Sequence, residues 1–343
     1  MKSIVQTGPK DVDVTERQMP DPDDDQVVIK VHSTGVCGSD VHAFQYHNGF
    51  EWVALPRIMG HEYSGEITAI GGDVSQFSVG DRVVEDPTRR CGVCFQCRNG
   101  QENVCQDFSI KGMHRDGSYA EFTCAAATNL HLVPDDVPLQ HAAIAEPLSV
   151  AARAVLTRSA LTAGDTALVE GPGPIGLLTA AIADSMGASV LLSGLEPDAD
   201  YRLPLANDLG IETIDLGRRE LDSAASAFTD DIGFDVVFDA TGHRSGVEIA
   251  AEQVRKGGQI LIVGIPGEPS GIKMAPVVRG EIDIDTSYGS LWQNFRQALS
   301  LIEESVIEPE QIIDTSFSID DPETAFTTFL EAQTTKPVFT FPE

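Results

Sequence analysis

The sequence predicts an α/β protein of two domains, one β-rich and one built on a doubly wound parallel sheet. Its 343 residues amount to about two domains of ordinary size, each able to bury its own core. The residue texture changes near position 150, and from about Ser159 to Gly289 apolar runs alternate with helical stretches.

The first part is rich in Gly, Pro and β-branched residues. Short alternating stretches such as Gln26 to Val31 and Ser64 to Ile70 are set off by turn signals such as Gly71-Gly72, the pattern of half-buried strands. In the second part TALVE (166–170), SVLLS (189–193), DVVFDA (235–240), QILIVGI (259–265) and IDIDTSY (282–288) alternate with helical segments. Apolar strands joined by helices make a parallel sheet covered on both faces. The tail, with a helical Trp292 to Ser305 and short runs around Thr315 and Val338, reads as a return to the first domain. The expected division is residues 1–152 and 290–343 for the β-rich domain, with 153–289 inserted as the parallel-sheet domain.

The charge balance is extreme, 53 Asp and Glu against 23 Lys and Arg, for a formal net charge of −30. Nucleic acid would be repelled. The excess is spread over the whole length, which fits a solvated surface better than an acidic tail. Such a surface repels itself at low salt, whereas the Debye length of ~3 Å at 1 M removes that penalty, so adaptation to molar salt is expected. Apolar runs such as Ile175 to Ala183 fall far short of the ~20 residues of a bilayer-spanning helix, and the N-terminus lacks a signal pattern. No membrane partner is expected. Four of the six cysteines lie within fifteen positions, which suits a metal in a reducing cytoplasm better than a disulfide framework.

Gly171-Pro172-Gly173-Pro174-Ile175-Gly176 follows an expected strand and opens an expected helix. Gly171 permits a tight turn, Gly173 lets the backbone approach a pyrophosphate, Gly176 allows close helix packing, and the helix N-terminus faces the negative charge. This is a dinucleotide site. An acidic residue at the end of the second strand would hold the adenosine ribose of NAD. That strand instead ends in Gly194, with Glu196 two residues on and Arg202 beyond it. Glu196 could reach the ribose, Arg202 could meet a 2′-phosphate, and both could be loop surface; the missing carboxylate tilts the balance slightly to NADP.

Cys91, Cys94, Cys97 and Cys105 are close enough in sequence to wrap one tetrahedral ion. Four thiolates leave no position for water or substrate, which indicates structural zinc. Cys37, His61, Glu62 and Glu146 are dispersed, as a catalytic metal built from several loops requires. A thiolate, an imidazole and a carboxylate leave a place for a substrate oxygen. Singly, each has an ordinary structural explanation; the set beside the other two motifs points to a second zinc.

Together CGSD (37–40), GHE (60–62), the four-cysteine lobe, EPLSV (146–150), GPGPIG (171–176) and ILIVG (260–264) resemble the zinc-containing medium-chain dehydrogenases, in particular the sorbitol or polyol dehydrogenase branch. The resemblance covers nearly the whole chain. It implies a GroES-like catalytic domain and a Rossmann cofactor domain. It also implies Cys37 and His61 as zinc ligands, with Glu62 or Glu146 completing the shell, and Asp40 orienting His61. Ser39 matches the hydroxyl that meets the substrate alcohol, and His42 the outer end of a proton relay. Thr241, Gly264, Ile265 and Tyr288 fall along the expected cofactor site. A homodimer or homotetramer is implied.

The expected reaction is oxidation of a secondary alcohol, most plainly a polyol, sugar or amino-polyol, to the ketone. A threonine-dehydrogenase-like enzyme and a non-catalytic zinc and dinucleotide binder are the alternatives; retention of Cys37, Ser39, His61 and Glu62 opposes the latter. Two departures concern the substrate: Gly289 stands after Tyr288 where the polyol enzymes usually carry arginine, and Arg153 replaces a common histidine. Phe44, Tyr46, Phe50, Trp52, Ile110 and Trp292 are expected as pocket lining or core. His47, His114, His131, His141 and His243 match no ligand position.

Overall fold

The computed structural model describes residues 1–46 and 49–341; His47 lies outside them. The chain divides into two compact units, residues 1–149, 290–330 and 336–343 in the first, and 150–289 with 331–335 in the second.

In the first unit the strand Gln26–Gly35 is the hub of a seven-stranded sheet. It pairs antiparallel with Glu62–Ile70, Phe122–Ala126 and Pro337–Thr340. Val27, Ile29 and Val31 point into one core with Ile67, Val83, Tyr119, Phe326 and Phe339. Gly35 pairs with both Glu62 and Val338, so the strand's end, the GHE segment and the chain's last strand meet at one place. That register positions the site described below. The runs around Thr315 and Val338 are paired strands of this same sheet.

The second unit is a six-stranded parallel sheet. Its strands are β1 (Thr166–Glu170), β2 (Ser189–Gly194), β3 (Glu212–Asp215), β4 (Phe234–Asp239), β5 (Val254–Ile262) and β6 (Asp283–Thr286), in the order β3-β2-β1-β4-β5-β6. Strand order reverses between β1 and β4, the switch point at which ligands bind beyond the carboxyl ends of such sheets. Leu168, Leu191, Ile214, Val237 and Ile260 form the core of one face, covered by helices carrying Ala225 and Ala250. Five of the strands coincide with the apolar runs. The sixth, β3, escaped them because only Ile214 of its four residues is fully buried. No helix among the described residues is long and apolar enough to cross a membrane.

Candidate active site and metal centres

Cys37 sits at the N-cap of the helix Gly38–Gln45, and Asp40 in its first turn folds back to accept the Cys37 amide at 3.2 Å. Asp40 is fully buried, and Tyr119 donates its hydroxyl to the same carboxylate at 2.7 Å. The other oxygen of Asp40 faces His61 Nδ1 at 3.4 Å, which leaves Nε2 for ligation. Burial alone would push Asp40 up, but His61 and the donors from Tyr119 and Cys37 outweigh it and hold the carboxyl below its usual range. Burial likewise opposes a charged His61, and Asp40 and Cys37 overcome it. Asp40 is therefore an anion aimed at an imidazole, the arrangement that fixes a ligand histidine's tautomer and orientation. Gly60 allows this approach: its φ is +91° and a Cβ there would come within 2.4 Å of the Tyr119 ring.

The ligand atoms of Cys37, His61 and Glu62 lie within 4.8 Å of one another. A soft thiolate, an imidazole and a carboxylate fit zinc with room for a further ligand. Glu62 also meets a cation of the chain itself, since Lys336 Nζ lies 2.7 and 2.9 Å from its two oxygens and donates to the Val36 carbonyl at 3.0 Å. Both side chains are 1% exposed. Glu146 is outside the close trio but near it: burial pushes its carboxyl up to about 7, with Glu62 adding to the rise and His61 and Lys336 opposing it. Lys336 and Tyr119 were not anticipated. A lone lysine near the C-terminus and a tyrosine in a glycine-rich loop carry no local signal, and only the strand pairing reveals their place.

Ser39 and His42 are three residues apart on the helix Gly38–Gln45, hence on one face, and both are half-buried. His42 stacks on Phe50 at 5.7 Å. The proposed pocket aromatics do not form one wall. Phe44 is core, stacked on Phe326, Trp52 packs against His114, and Trp292 lies on His131 at 3.8 Å. His131, buried between Trp292 and Phe295, has its pKa lowered to about 4 by burial and by Arg296, so it is a neutral structural histidine.

The four cysteines of the lobe converge, all four sulfurs lying within 4.8 Å of one another. Backbone amides of Cys91, Cys94, Cys97 and Asp107 point at three of them, at 3.3 to 3.5 Å. The amides of Cys97 and Gln106 lower Cys94 to about 6, whereas burial and the neighbouring thiols raise Cys97 to about 12. Four sulfurs this close, with amides aimed at three of them, fit one tetrahedral zinc.

In the second unit Gly171 has φ +92°, and a Cβ on Gly176 would lie 1.8 Å from the Gly171 carbonyl oxygen. Gly173 is the N-cap of the helix Pro174–Ser185, and the space a Cβ would take there is open. A tight turn, close helix packing and an open approach to free amides fit a dinucleotide pyrophosphate. Thr241, anchored to Asp239 at 2.6 Å, lies against Gly171, and Gly242 lies against Ile265. The loops after β1, β4 and β5 thus meet at the switch point, with Thr241 and Ile265 exposed there; Tyr288, two residues past β6, is also exposed. Gly264 packs on Gly242. Arg202 is turned to Asp198 at 3.3 Å and to the Thr334 carbonyl at 3.1 Å, and Glu196 is exposed.

A four-cysteine lobe, a mixed set of zinc-type ligands and a dinucleotide loop on a doubly wound sheet fit a zinc-containing, nucleotide-dependent oxidoreductase. Residues 23–135 match the family described as alcohol dehydrogenase GroES-like domain, and residues 174–304 the family described as zinc-binding dehydrogenase. The chain is 34% identical to the sorbitol dehydrogenase of Halalkalibacterium halodurans over 99% of both chains. It is 33% identical to the D-arabitol-phosphate dehydrogenase of Enterococcus avium over 93% of this chain and 90% of that one. Among solved structures it is similar to an alcohol dehydrogenase of E. coli CFT073 in complex with NADH, with a TM-score of 0.92 and 30% identity over 99% of each chain. The chain belongs to the zinc-binding, NAD(P)-dependent alcohol dehydrogenase family, in its polyol dehydrogenase branch.

Proposed function

We propose that this protein oxidises a secondary alcohol of a polyol, sugar or amino-polyol to the ketone, passing hydride to NADP. The observation that carries the reading is the convergence of Cys37, His61 and Glu62 within 4.8 Å, backed by the buried Asp40. Bound there, zinc supplies Lewis acidity that lowers the pKa of the alcohol. Cys37 and His61 hold it, and Asp40 keeps His61 in the ligating tautomer. Glu62 and Glu146 share the remaining duty, with Lys336 restraining Glu62. Ser39 Oγ accepts the hydroxyl proton as it gives up its own, and His42, one turn along the same helix face, is the outer end of the relay that releases a proton to solvent. A second zinc in the four-cysteine lobe makes two per chain. The glycine loop, Thr241, Gly264, Ile265 and Tyr288 hold the cofactor in the 150–289 unit, while Gly194 and Glu196 border its ribose end.

The assembly is a homodimer or homotetramer. Strand β6 is a sheet edge, and Ile284 on it, with Met274 and Val278 of the helix Met274–Gly280, is an exposed apolar group suited to a second copy. The net charge of −30 supports work in a salt-rich cytoplasm. The test is turnover of polyols, sugars, simple alcohols and threonine with NAD and NADP in molar potassium chloride. Oxidation of a polyol, abolished by His61→Ala, is expected; a zinc-loaded protein that turns over none of them refutes the enzyme reading.

A further inference from the structure

The ribose end of the cofactor site has only part of its chemistry explained. A Cβ on Gly194 would meet Leu203 at 2.9 Å, Pro172 at 3.0 Å and Asp198 at 3.2 Å, so this strand end is tightly packed and lacks the carboxylate that selects NAD. The nearest arginine in sequence, Arg202, is only 13% exposed and spends its guanidinium on Asp198 and on the Thr334 carbonyl. Meanwhile the turn after β3 is laced to the end of β2. The Leu216 amide donates to the Gly194 carbonyl at 2.9 Å, and a Cβ on Gly217 would lie 3.5 Å from the Glu196 side chain. The next two residues are Arg218 and Arg219, both exposed.

This turn is rigid. Asp215 accepts the Gly217 amide at 2.8 Å, and its backbone carbonyl accepts the Arg218 and Arg219 amides at 3.1 and 3.0 Å. Its other carboxylate oxygen sits 3.1 Å from Arg218 Nε. That contact is an ion pair by distance, without hydrogen-bond geometry. The side chain stays 74% exposed, with its terminal nitrogens available to an anion.

We propose that Arg218 and Arg219, rather than Arg202, read the 2′-phosphate of NADP, and that this turn sets the cofactor preference. The proposal rests on the dinucleotide site assigned above. Asp215 pairs with Arg218 and offsets one of the two arginine charges of the turn. Glu196, across the turn, is the residue left to meet a bare ribose hydroxyl when NAD binds.

The test compares binding of adenosine 2′,5′-bisphosphate and 5′-AMP by calorimetry to the zinc-loaded protein. It is run at the lowest potassium chloride that keeps the fold, because salt screens the contact. The wild type is expected to favour the bisphosphate by about tenfold or more, as hydrogen bonds to a charged group imply. Arg218→Ala/Arg219→Ala should abolish that ratio, Arg218→Glu should invert it, and Arg202→Ala should leave it intact. Equal binding of both nucleotides by the wild type, an unchanged ratio in the double variant, or its loss in Arg202→Ala overturns the assignment and leaves the dinucleotide site standing. If neither nucleotide binds, the dinucleotide reading falls with it.

Discussion

The two sets of candidate metal ligands in this chain differ in how they are built. The lobe takes Cys91, Cys94, Cys97 and Cys105 from one short segment, and amides of that same segment donate to the sulfurs. The second set takes Cys37 from a helix N-cap and His61 and Glu62 from the start of a strand, and depends on Asp40, Tyr119 and Lys336. The lobe is a local object, its four sulfurs and their amide donors drawn from one short stretch of chain. The other set is a product of the sheet, present because Gly35 pairs with both Glu62 and Val338. A site that must exchange substrate is thus built by the fold, whereas a lobe that serves as a staple would draw its order from its ion.

That contrast is broken most severely by exchanging the consequences of two substitutions. Cys94→Ser should lose the lobe metal and much of the fold with it, because structural zinc contributes on the order of 10 kcal/mol to the folding of small lobes. His61→Ala should keep the lobe metal and most of the melting temperature while turnover drops by at least about a thousandfold, roughly 4 kcal/mol in the barrier. Metal analysis with thermal melts checks both. Two ions per chain falling to one in each variant, but a lower melting temperature chiefly in Cys94→Ser, is the expected pattern. If His61→Ala unfolds as readily as Cys94→Ser, the catalytic set is as metal-dependent as the lobe.

A smaller effect probes what holds the dispersed set. Lys336→Met strands the Glu62 carboxylate in a fully buried position, and removing one partner of such a pair costs about 3–5 kcal/mol. Adding Glu62→Gln to Lys336→Met should recover much of that stability. Arg255→Ala, which breaks the more exposed pair with Asp235, should cost only about 1 kcal/mol or less. Denaturant unfolding measures all three. A Lys336→Met cost no larger than that of Arg255→Ala would mean that the pair does not restrain Glu62.

The same contrast explains what could be read without a structure. The lobe and the glycine loop are sequence-local: their spacing is their geometry, so Cys91 to Cys105 and Gly171 to Gly176 are found where their motifs require. Cys37, His61 and Glu62 were recognised only as a set, since nothing about His61 alone separates a ligand from a core histidine. Lys336 was unreadable, because its partner lies 274 positions away. Arg202 stands nearest Gly194 in sequence, whereas the turn after β3, too polar to register as a strand, comes beside the end of β2 only in the fold.

The last effect concerns a buried acid that lacks what Glu62 has. Glu170 and Asp239 are Cα partners on β1 and β4, 2% and 0% exposed, with no lysine or arginine bonded to either among the described residues. Glu170 Oε2 and Asp239 Oδ2 are both buried and unbonded. Burial first, and then the Asp239 charge, raise Glu170 from 4.5 to about 9. A folded pKa above the unfolded one means that protonated Glu170 is favoured in the native state. Its stability contribution is complete below about pH 4.5 and declines as pH rises toward 9. The slope is about 1.4 kcal/mol per pH unit within that window. Glu170→Gln, neutral at every pH, should therefore gain on the wild type by on the order of 2–3 kcal/mol between pH 6 and pH 8. Unfolding at both pH values in the same molar salt reads this directly. Parallel wild-type and variant curves would show that Glu170 is already ionised at pH 6, and that a buried carboxylate can stand beneath this glycine loop without the cation that Glu62 requires.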